Sequence, residues 1–436
     1  MSSDRKKLRY LPGDPVVLTR DEHPISRKNI DYFALKVMGR LIKHGYLAFL
    51  VGGGVRDLLL GKQPKDFDIG TDATPEEVRD LFRNSRLIGR RFRLAQVYFA
   101  RDKIFEVSTF RDNFQVSEEE KTELVKDDNT YGDPETDALR RDLTINGLFY
   151  DLNSFSVIDY VGGINDLENK TVRIIGDPVV RIKEDPVRMI RAVRHAARTG
   201  FKIEKKTFDA IVDLGYLIKQ SPPTRVYEEL VREIKGGNCN DSLKLLIKTG
   251  LVNYLLPDIA FQLRHKNRGY IRRLEKVSKR IDDFIKSGQE LECGLIFLAL
   301  YVDIIQISIP DKVSDLAISK TLDTLSLEKT VDTVFKPLGV TNRERELMVK
   351  VLALAWKMVI SYVKKSPDKS LTQRKYFMHA LLLLDLTASE SKMYDCIEYW
   401  SEELGRRGKE RTRSGKNTRP NRNRRPRRPQ ADKNTQ

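Results

Sequence analysis

From Ile30 onward, apolar residues recur at Phe33, Ala34, Val37, Met38 and Leu41, the spacing that lays one stripe along a helix ending near Gly45. Ala48–Val51 (AFLV) is apolar throughout and reads as a short buried strand. It runs into Gly52-Gly53-Gly54, and VRDLLLG follows as a turn or two of helix. DFDIG alternates Asp66 and Asp68 with Phe67 and Ile69, so a strand here puts both acids on one face. Thr74 stands where a helix N-cap belongs, with Pro75 at the first helical position. LAQVYFA and KIFEVSTFR predict a hairpin joined near Arg101-Asp102. Beyond residue 171 strand signals fade, and helices are predicted over 186–197, 225–235, 241–248, 291–300 and 344–363. The pattern divides the chain into a polar amino-terminal arm (1–27), a mixed α/β region (28–170), two helical regions (171–260 and 261–405) and a tail (406–436). The fold class is α+β: a small mixed β-sheet followed by all-α domains.

Charge sharpens this picture at one end. The 436 residues carry a net charge of +17, and residues 406–436 hold thirteen Lys and Arg against two acids, so eleven of those charges lie in the tail. That segment has hardly any apolar residue to offset its ordering entropy, and it is expected to be disordered until nucleic acid binds. Polycations of this kind bind phosphate polymers by releasing counterions. Arg424, Arg425, Arg427 and Arg428 are the densest part of the run. Cys239, Cys293 and Cys396 are far apart, which excludes a disulfide scaffold or a CxxC zinc site and fits a reducing, cytoplasmic setting. No window approaches a membrane span, and the amino terminus lacks the apolar stretch of a signal peptide.

Candidate chemistry concentrates in GGGVRDLLLGKQPKDFDIGT, residues 52–71. Glycines between a buried strand and a helix let backbone N–H groups approach a phosphate, although such a triplet is also an ordinary turn. The stretch matches neither the P-loop nor the dinucleotide fingerprint. Two carboxylates a few residues later can share hard divalent cations, and Mg²⁺ favours such oxygens together with substrate phosphates. The pair therefore points to phosphoryl or nucleotidyl transfer at a two-metal site rather than to a solvated strand face. Glu106, in the otherwise apolar IFEVSTF, and Asp142, in LRRDLTINGLFYDL, are alternative third acids, and periodicity does not rank them. EDPVRMIRAVRHAARTG spaces Arg188, Arg191 and Arg194 three apart on a helix and sets Asp185 three before Arg188, where the two can pair. Arginine forks of this kind can read a base edge or clamp a triphosphate. His195 reads as a packed helix residue. Arg86, Arg90, Arg91 and Arg93 surround Phe92 in RNSRLIGRRFRLAQV, a mixture of charge and aromatic that suits single-stranded nucleic acid.

Taken in order, GGGVRD, KDFDIGT, EVSTFR, RRDLTINGLFYD, DYVGGINDL and EDPVRMIRAVR resemble the class II nucleotidyltransferases, the family of bacterial poly(A) polymerases and tRNA CCA-adding enzymes. The similarity covers about residues 48–250. It implies a catalytic head with a five-stranded mixed sheet at 28–170, a helical neck at 171–260 that binds nucleotide and RNA, and a helical body. It also implies that Asp66 and Asp68 bind metal, with Glu106 or Asp142 as the further acid. Gly52, Gly53 and Arg56 would hold the triphosphate. Arg141, Asp142 and Asn146 would contact ribose and phosphates, and Asp185, Arg188, Arg191 and Arg194 the base. The Arg-rich run and the basic tail are similar to those of bacterial poly(A) polymerases. The expected activity is template-independent addition of AMP from ATP to RNA 3′ ends by a monomer using Mg²⁺. CCA addition to tRNA is the alternative within the family, and a noncatalytic RNA-binding scaffold the alternative outside it.

Overall fold

The computed structural model describes residues 14–89, 93–99, 103–112, 131–265, 268–305, 324–365, 367–389 and 391–414. They divide into two compact units, residues up to 267 with 282–289, and 268–281 with 290 onward.

The first unit is built on one sheet. Its strands are β1 (Val16–Leu18), β2 (Ala48–Val51), β3 (Asp68–Thr71), β4 (Ser85–Ile88), β5 (Leu94–Phe99), β6 (Lys103–Thr109), β7 (Leu148–Asp151) and β8 (Val157–Asp159), in the order β1-β8-β7-β2-β3-β6-β5-β4. β3 and β6 are parallel, and the other pairs are antiparallel. The resemblance implied five strands, whereas the sheet has eight among the described residues. One of the additional strands, β1, comes from the segment read as a lead-in arm. Its three residues pair with β8 at the sheet edge, too short a run for periodicity to register. A further two-stranded parallel pair, β9 (Thr171–Val172) with β10 (Lys202–Ile203), lies where strand signals fade.

The helices of this unit include α1 (Tyr32–Lys43), α2 (Gly53–Leu59), α3 (Pro75–Leu81), α4 (Pro134–Arg140), α5 (Gly163–Glu168), α6 (Pro178–Glu184), α7 (Arg188–Thr199), α8 (Lys205–Leu214) and α9 (Pro223–Ile234), followed by Cys239–Lys248, Val252–Leu255 and Pro257–Arg264. α1 starts where the Asp31 carboxylate accepts the Phe33 N–H, and it buries Ala34, Val37, Met38 and Leu41, the stripe read from sequence. α3 opens with a capping box between Thr74 and Glu77. At Gly52 the chain turns from β2 into α2 with φ 72° and ψ −138°, a conformation that only glycine adopts without strain.

Two predicted boundaries shift. β3 begins at Asp68, which leaves Asp66 on the approach to the strand. α7 begins at Arg188 rather than at Pro186, because Asp185 precedes a proline and takes an extended conformation (φ −146°, ψ 94°) as the C-cap of α6.

The second unit is helical. Cys293–Tyr301, Thr324–Phe335, Asn342–Val363, Phe377–Thr387 and Ser391–Ser414 are its main helices besides residues 268–281. Trp400 is fully buried, donates to the Met358 carbonyl at 3.1 Å and meets the Phe377 ring edge-on. The final helix extends through Ser414, into the segment expected to be disordered from 406. Arg406 explains how the helix enters it, pairing with Glu402 and Glu403 one turn back. No helix among the described residues is long and apolar enough to cross a membrane.

Candidate active site

β2 is buried along its whole length and ends at Val51, directly opposite Asp68 on β3. The parallel register of Ile69 with Val107 places Asp68 beside Glu106 on β6. Gly52 therefore emerges next to these acids. A Cβ added there would stand 3.2 Å from Nη1 of Arg141 and 3.9 Å from Oδ2 of Asp68. Burial, followed by the negative charge of Glu106, pushes the Asp68 carboxyl up to about 6, while Arg141 pulls the other way. Glu106 is exposed and accepts from the Gln96 amide at 3.1 Å. Asp66 is exposed. Among the described residues no three acidic, His or Cys side chains converge closely enough to hold a metal ion by themselves.

Asp68 and Gly52 open into a cleft of about 1010 Å³. Its far wall is made by α4, α6, α7 and the turn at Asn146, which contribute Arg141, Asp142, Asp185, Arg188 and Arg191. Asp142 is saturated there. It accepts from Arg188 Nε at 2.8 Å and is paired with Arg191. Burial works against its charge, but Arg191 and Arg188 outweigh burial and hold its carboxyl below the usual value. Arg188 also bonds the Arg181 carbonyl and Glu184, at 2.7 and 2.9 Å. Arg191 reaches Glu229 of α9 at 3.2 Å, and Glu229, nearly fully buried, also faces Arg194 and Arg232. Arg141 is held by Asp137 one turn earlier, at 2.8 Å.

The sequence-predicted residues thus fall into groups. Gly52, Gly53, Asp68, Arg141, Asp142, Asn146, Asp185, Arg188 and Arg191 line one cleft. Arg56 does not. It is 1% exposed beneath the glycine turn, bonded to Asp57 at 2.8 Å, to Asn146 Oδ1 at 2.6 Å and to His195 Nδ1 at 3.1 Å. His195 is buried among these groups, and burial with the nearby Arg56 keeps its pKa well below normal, so it remains neutral. Arg194 turns towards Glu229 instead of the cleft.

The expected Asp185–Arg188 pair is absent, because the break before Pro186 takes Asp185 off the helix. Asp185 instead accepts from Arg225 at 2.6 Å, while Arg188 goes to Asp142. Arg225, Asp137 and Glu229 were missed by sequence reasoning: Asp137 pairs with Arg141 one turn on, while the docking of α9 brings Arg225 to the cleft and Glu229 behind Arg191. Arg86 and Arg93 lie outside it, Arg86 exposed and Arg93 paired with Glu76 at 3.2 Å. Arg90, Arg91, Arg424, Arg425, Arg427 and Arg428 fall outside the described residues.

Residues 48–173, which supply the glycine turn, the acids and the Arg141–Asp142 corner, match the model of the "Poly A polymerase head domain". That stretch is similar to the head domain of poly(A) polymerases. Downstream of that head, residues 200–263 match a second model, "Probable RNA and SrmB- binding site of polymerase A". Among curated proteins, the chain is 45% identical over 293 residues to Poly(A) polymerase I of Escherichia coli O6:H1, covering 65% of this chain and 63% of the relative. It is 38% identical over 223 residues to the CCA-adding enzyme of Bacillus pumilus, covering 51% and 54%. The chain therefore spans less than two thirds of the length of these curated relatives. A solved tRNA nucleotidyltransferase, complexed with a primer tRNA and an incoming ATP analog, superposes with a TM-score of 0.59 at 23% identity, covering 85% of this chain and 98% of that one. That likeness extends the shared fold well beyond the head domain.

Proposed function

We propose that the chain is a template-independent RNA adenylyltransferase that transfers AMP from ATP to RNA 3′ ends. The observation that carries this reading is the cleft itself, where a glycine turn and the cations Arg141, Arg188 and Arg191 face a carboxyl pushed up by burial and then by a second carboxylate. Support for adenylation over other nucleotidyl transfers comes from the 45% identity to Poly(A) polymerase I, against 38% to a CCA-adding enzyme.

In the reaction the RNA 3′-oxygen attacks the α-phosphorus of ATP. The new P–O bond forms as the α–β phosphoanhydride bond breaks, pyrophosphate leaves, and the hydroxyl proton passes to solvent. The turn at Gly52 and Gly53 and the Arg141 guanidinium hold the leaving phosphates and offset their growing charge. Arg188 and Arg191, locked by Asp142, Glu184 and Glu229, orient the nucleotide without reorganising. Asp68, with Asp66 and Glu106, would hold divalent cations, Mg²⁺ in this reading. The fit is chemical: the donors are hard oxygens, and the raised Asp68 carboxyl marks a place short of positive charge. Substrate phosphates would complete the oxygen set around such a cation. When bound, such cations would activate the attacking hydroxyl and screen the triphosphate.

A monomer is taken as the working unit in this reading. The free cysteines Cys239, Cys293 and Cys396 support a reducing, cytoplasmic setting. The test is extension of a 3′-hydroxyl RNA oligonucleotide by the purified full chain with Mg²⁺ and ATP, CTP or both. Long products from ATP alone are expected. Addition of a few nucleotides that requires CTP would transfer the reading to the CCA-adding relatives, and no addition with any nucleotide would leave only RNA binding.

A further inference from the structure

We propose that the open face of strands β4, β5 and β6, bearing Arg86, Tyr98 and Ile104 beside Glu106, is the track on which the 3′-terminal bases of the extended RNA lie. The inference rests on the adenylyltransferase reading and deepens it by assigning a binding surface to the second substrate.

The strand registers place the residues. Arg86 stands opposite Gln96, Gln96 opposite Glu106, and Glu106 beside Asp68, so one row runs straight across the sheet from an exposed cation to the acids. One step towards the hairpin end, Tyr98 stands opposite Ile104 on the same face. The other face of this hairpin is covered. Ala95, Val97, Phe105 and Val107 are buried there, and Phe99 stacks on Phe33 of α1 with centroids 4.9 Å apart. The Arg86 face is not covered in this way: Arg86 and Glu106 are exposed, Ile104 is 51% exposed, and Gln96 and Tyr98 are half-buried. Arg86 has no ion-pair partner among the described residues. The Tyr98 hydroxyl donates to Gln96 Oε1 at 2.9 Å, and Gln96 Nε2 donates to Glu106, which ties the ring's position to the acid.

Direction of attack selects the occupant. In nucleotidyl transfer the attacking and leaving oxygens lie roughly in line through phosphorus. Gly52 and Arg141, read as holding the leaving phosphates, stand against Asp68 on the β2 side, while the cleft continues past Asp68 to Ser108 and Thr109 of β6, which assigns the 3′-oxygen to the β6 side. Among the described residues, the sheet surface that continues on that side is the β6-β5-β4 face. It presents a π-face and an aliphatic side chain next to an exposed arginine, the combination on which single-stranded bases stack while a phosphate is neutralised.

The test is single-nucleotide addition to an RNA oligonucleotide by the full chain, varying RNA and ATP separately. Tyr98→Ala and Ile104→Glu should each raise the RNA KM about tenfold, with the ATP KM unchanged. Tyr98→Phe, which keeps the ring, and Ile104→Lys, which keeps the surface free of negative charge, should both stay near the wild-type RNA KM. Arg86→Ala should lower the slope of log RNA affinity against log salt by about one. Because these positions are partly or fully exposed, circular dichroism melts should match the wild type. An unchanged RNA KM in both Tyr98→Ala and Ile104→Glu, or a rise in the ATP KM instead, overturns the track. A wild-type chain that extends no RNA overturns the adenylyltransferase reading itself, and that result appears before any variant is made.

Discussion

The two banks of the cleft use the same residue types in opposite electrostatic states. On the sheet bank, Asp68 faces Glu106 across adjacent strands, and burial with like charge pushes it up to about 6. On the helical bank, Asp142 lies between Arg188 and Arg191 and is held below its usual value. An acid raised by its surroundings is short of positive charge, and bringing a cation or a cation-bearing substrate there relieves it. An acid already lowered by two guanidiniums gains little from a third charge, and its work is to keep those guanidiniums aimed. The comparison separates reacting chemistry from positioning, although motif reading alone groups Asp68 with Asp142.

The strongest way to break this division is Asp68→Asn. It removes the carboxylate that is short of positive charge while keeping its shape. We expect nucleotide addition to fall at least about a thousandfold, roughly 4 kcal/mol of barrier. The melting temperature should stay the same or rise, since a strained carboxyl is gone. A large loss of stability would show that Asp68 belongs with the scaffold. Second in size is Glu233→Gln, which probes an acid on the helical side that resembles Asp68 in state but not in place. Glu233 is nearly fully buried, and neither of its carboxylate oxygens has a hydrogen-bond partner among the described residues. Burial pushes its carboxyl up to about 7.

Below pH 4.5 both folded and unfolded chains carry the Glu233 proton, so there is no penalty. Between 4.5 and about 7 the unfolded chain releases it first and folded stability falls, by about 3 kcal/mol once the pH passes 7. Glu233→Gln should therefore stabilise the protein at pH 8 and leave it nearly unchanged at pH 4.5, as read from urea midpoints. Destabilisation at pH 8 would instead mean an ionised Glu233 that balances Arg194.

Legibility in the sequence followed how local each determinant is. β2, the α1 stripe, the Thr74 cap and the β5–β6 hairpin were readable because periodicity and capping act within a few residues. The pairing of Asp68 with Glu106 was half-readable: the face of each acid followed from alternation, but their adjacency needed the parallel β3–β6 register. Arg56, which the resemblance assigned to the triphosphate, is instead buried by Asn146 and His195, contacts too distant in sequence to be read locally. Asp185 was misplaced by treating EDPVR as one helix. The proline that breaks it was visible, and its effect on the preceding residue was the available signal. Arg225 and Glu229 carried no local signal.

Asp142→Asn is third in size and addresses the helical bank directly. It keeps the shape of the side chain but leaves Arg188 and Arg191 without their shared counter-charge. Because Asp142 is only half-buried, a loss of about 2 kcal/mol is expected rather than the larger cost of a fully buried pair. Nucleotide addition should fall mainly through a higher ATP KM, since the guanidiniums lose their aim. A collapse in kcat with an unchanged ATP KM and unchanged stability would place Asp142 with the reacting acids and erase the distinction between the banks.

The smallest expected effect tests whether the sheet bank depends on the elements around it. α3 follows directly from β3 and the acids, and its first turn is closed by a reciprocal box: Glu77 N–H donates to Thr74 Oγ1 at 3.3 Å, and Thr74 N–H to Glu77 Oε2 at 2.7 Å. Thr74→Ala removes the hydroxyl half and should cost about 1 kcal/mol of stability. Asp68 and Glu106 are set by the β3–β6 register rather than by this cap, so the rate of single-nucleotide addition at 25 °C should not change. A drop in rate at a temperature where the variant is fully folded would mean that the acids take their spacing from α3 as well, and that the sheet bank, like the helical one, is held from outside.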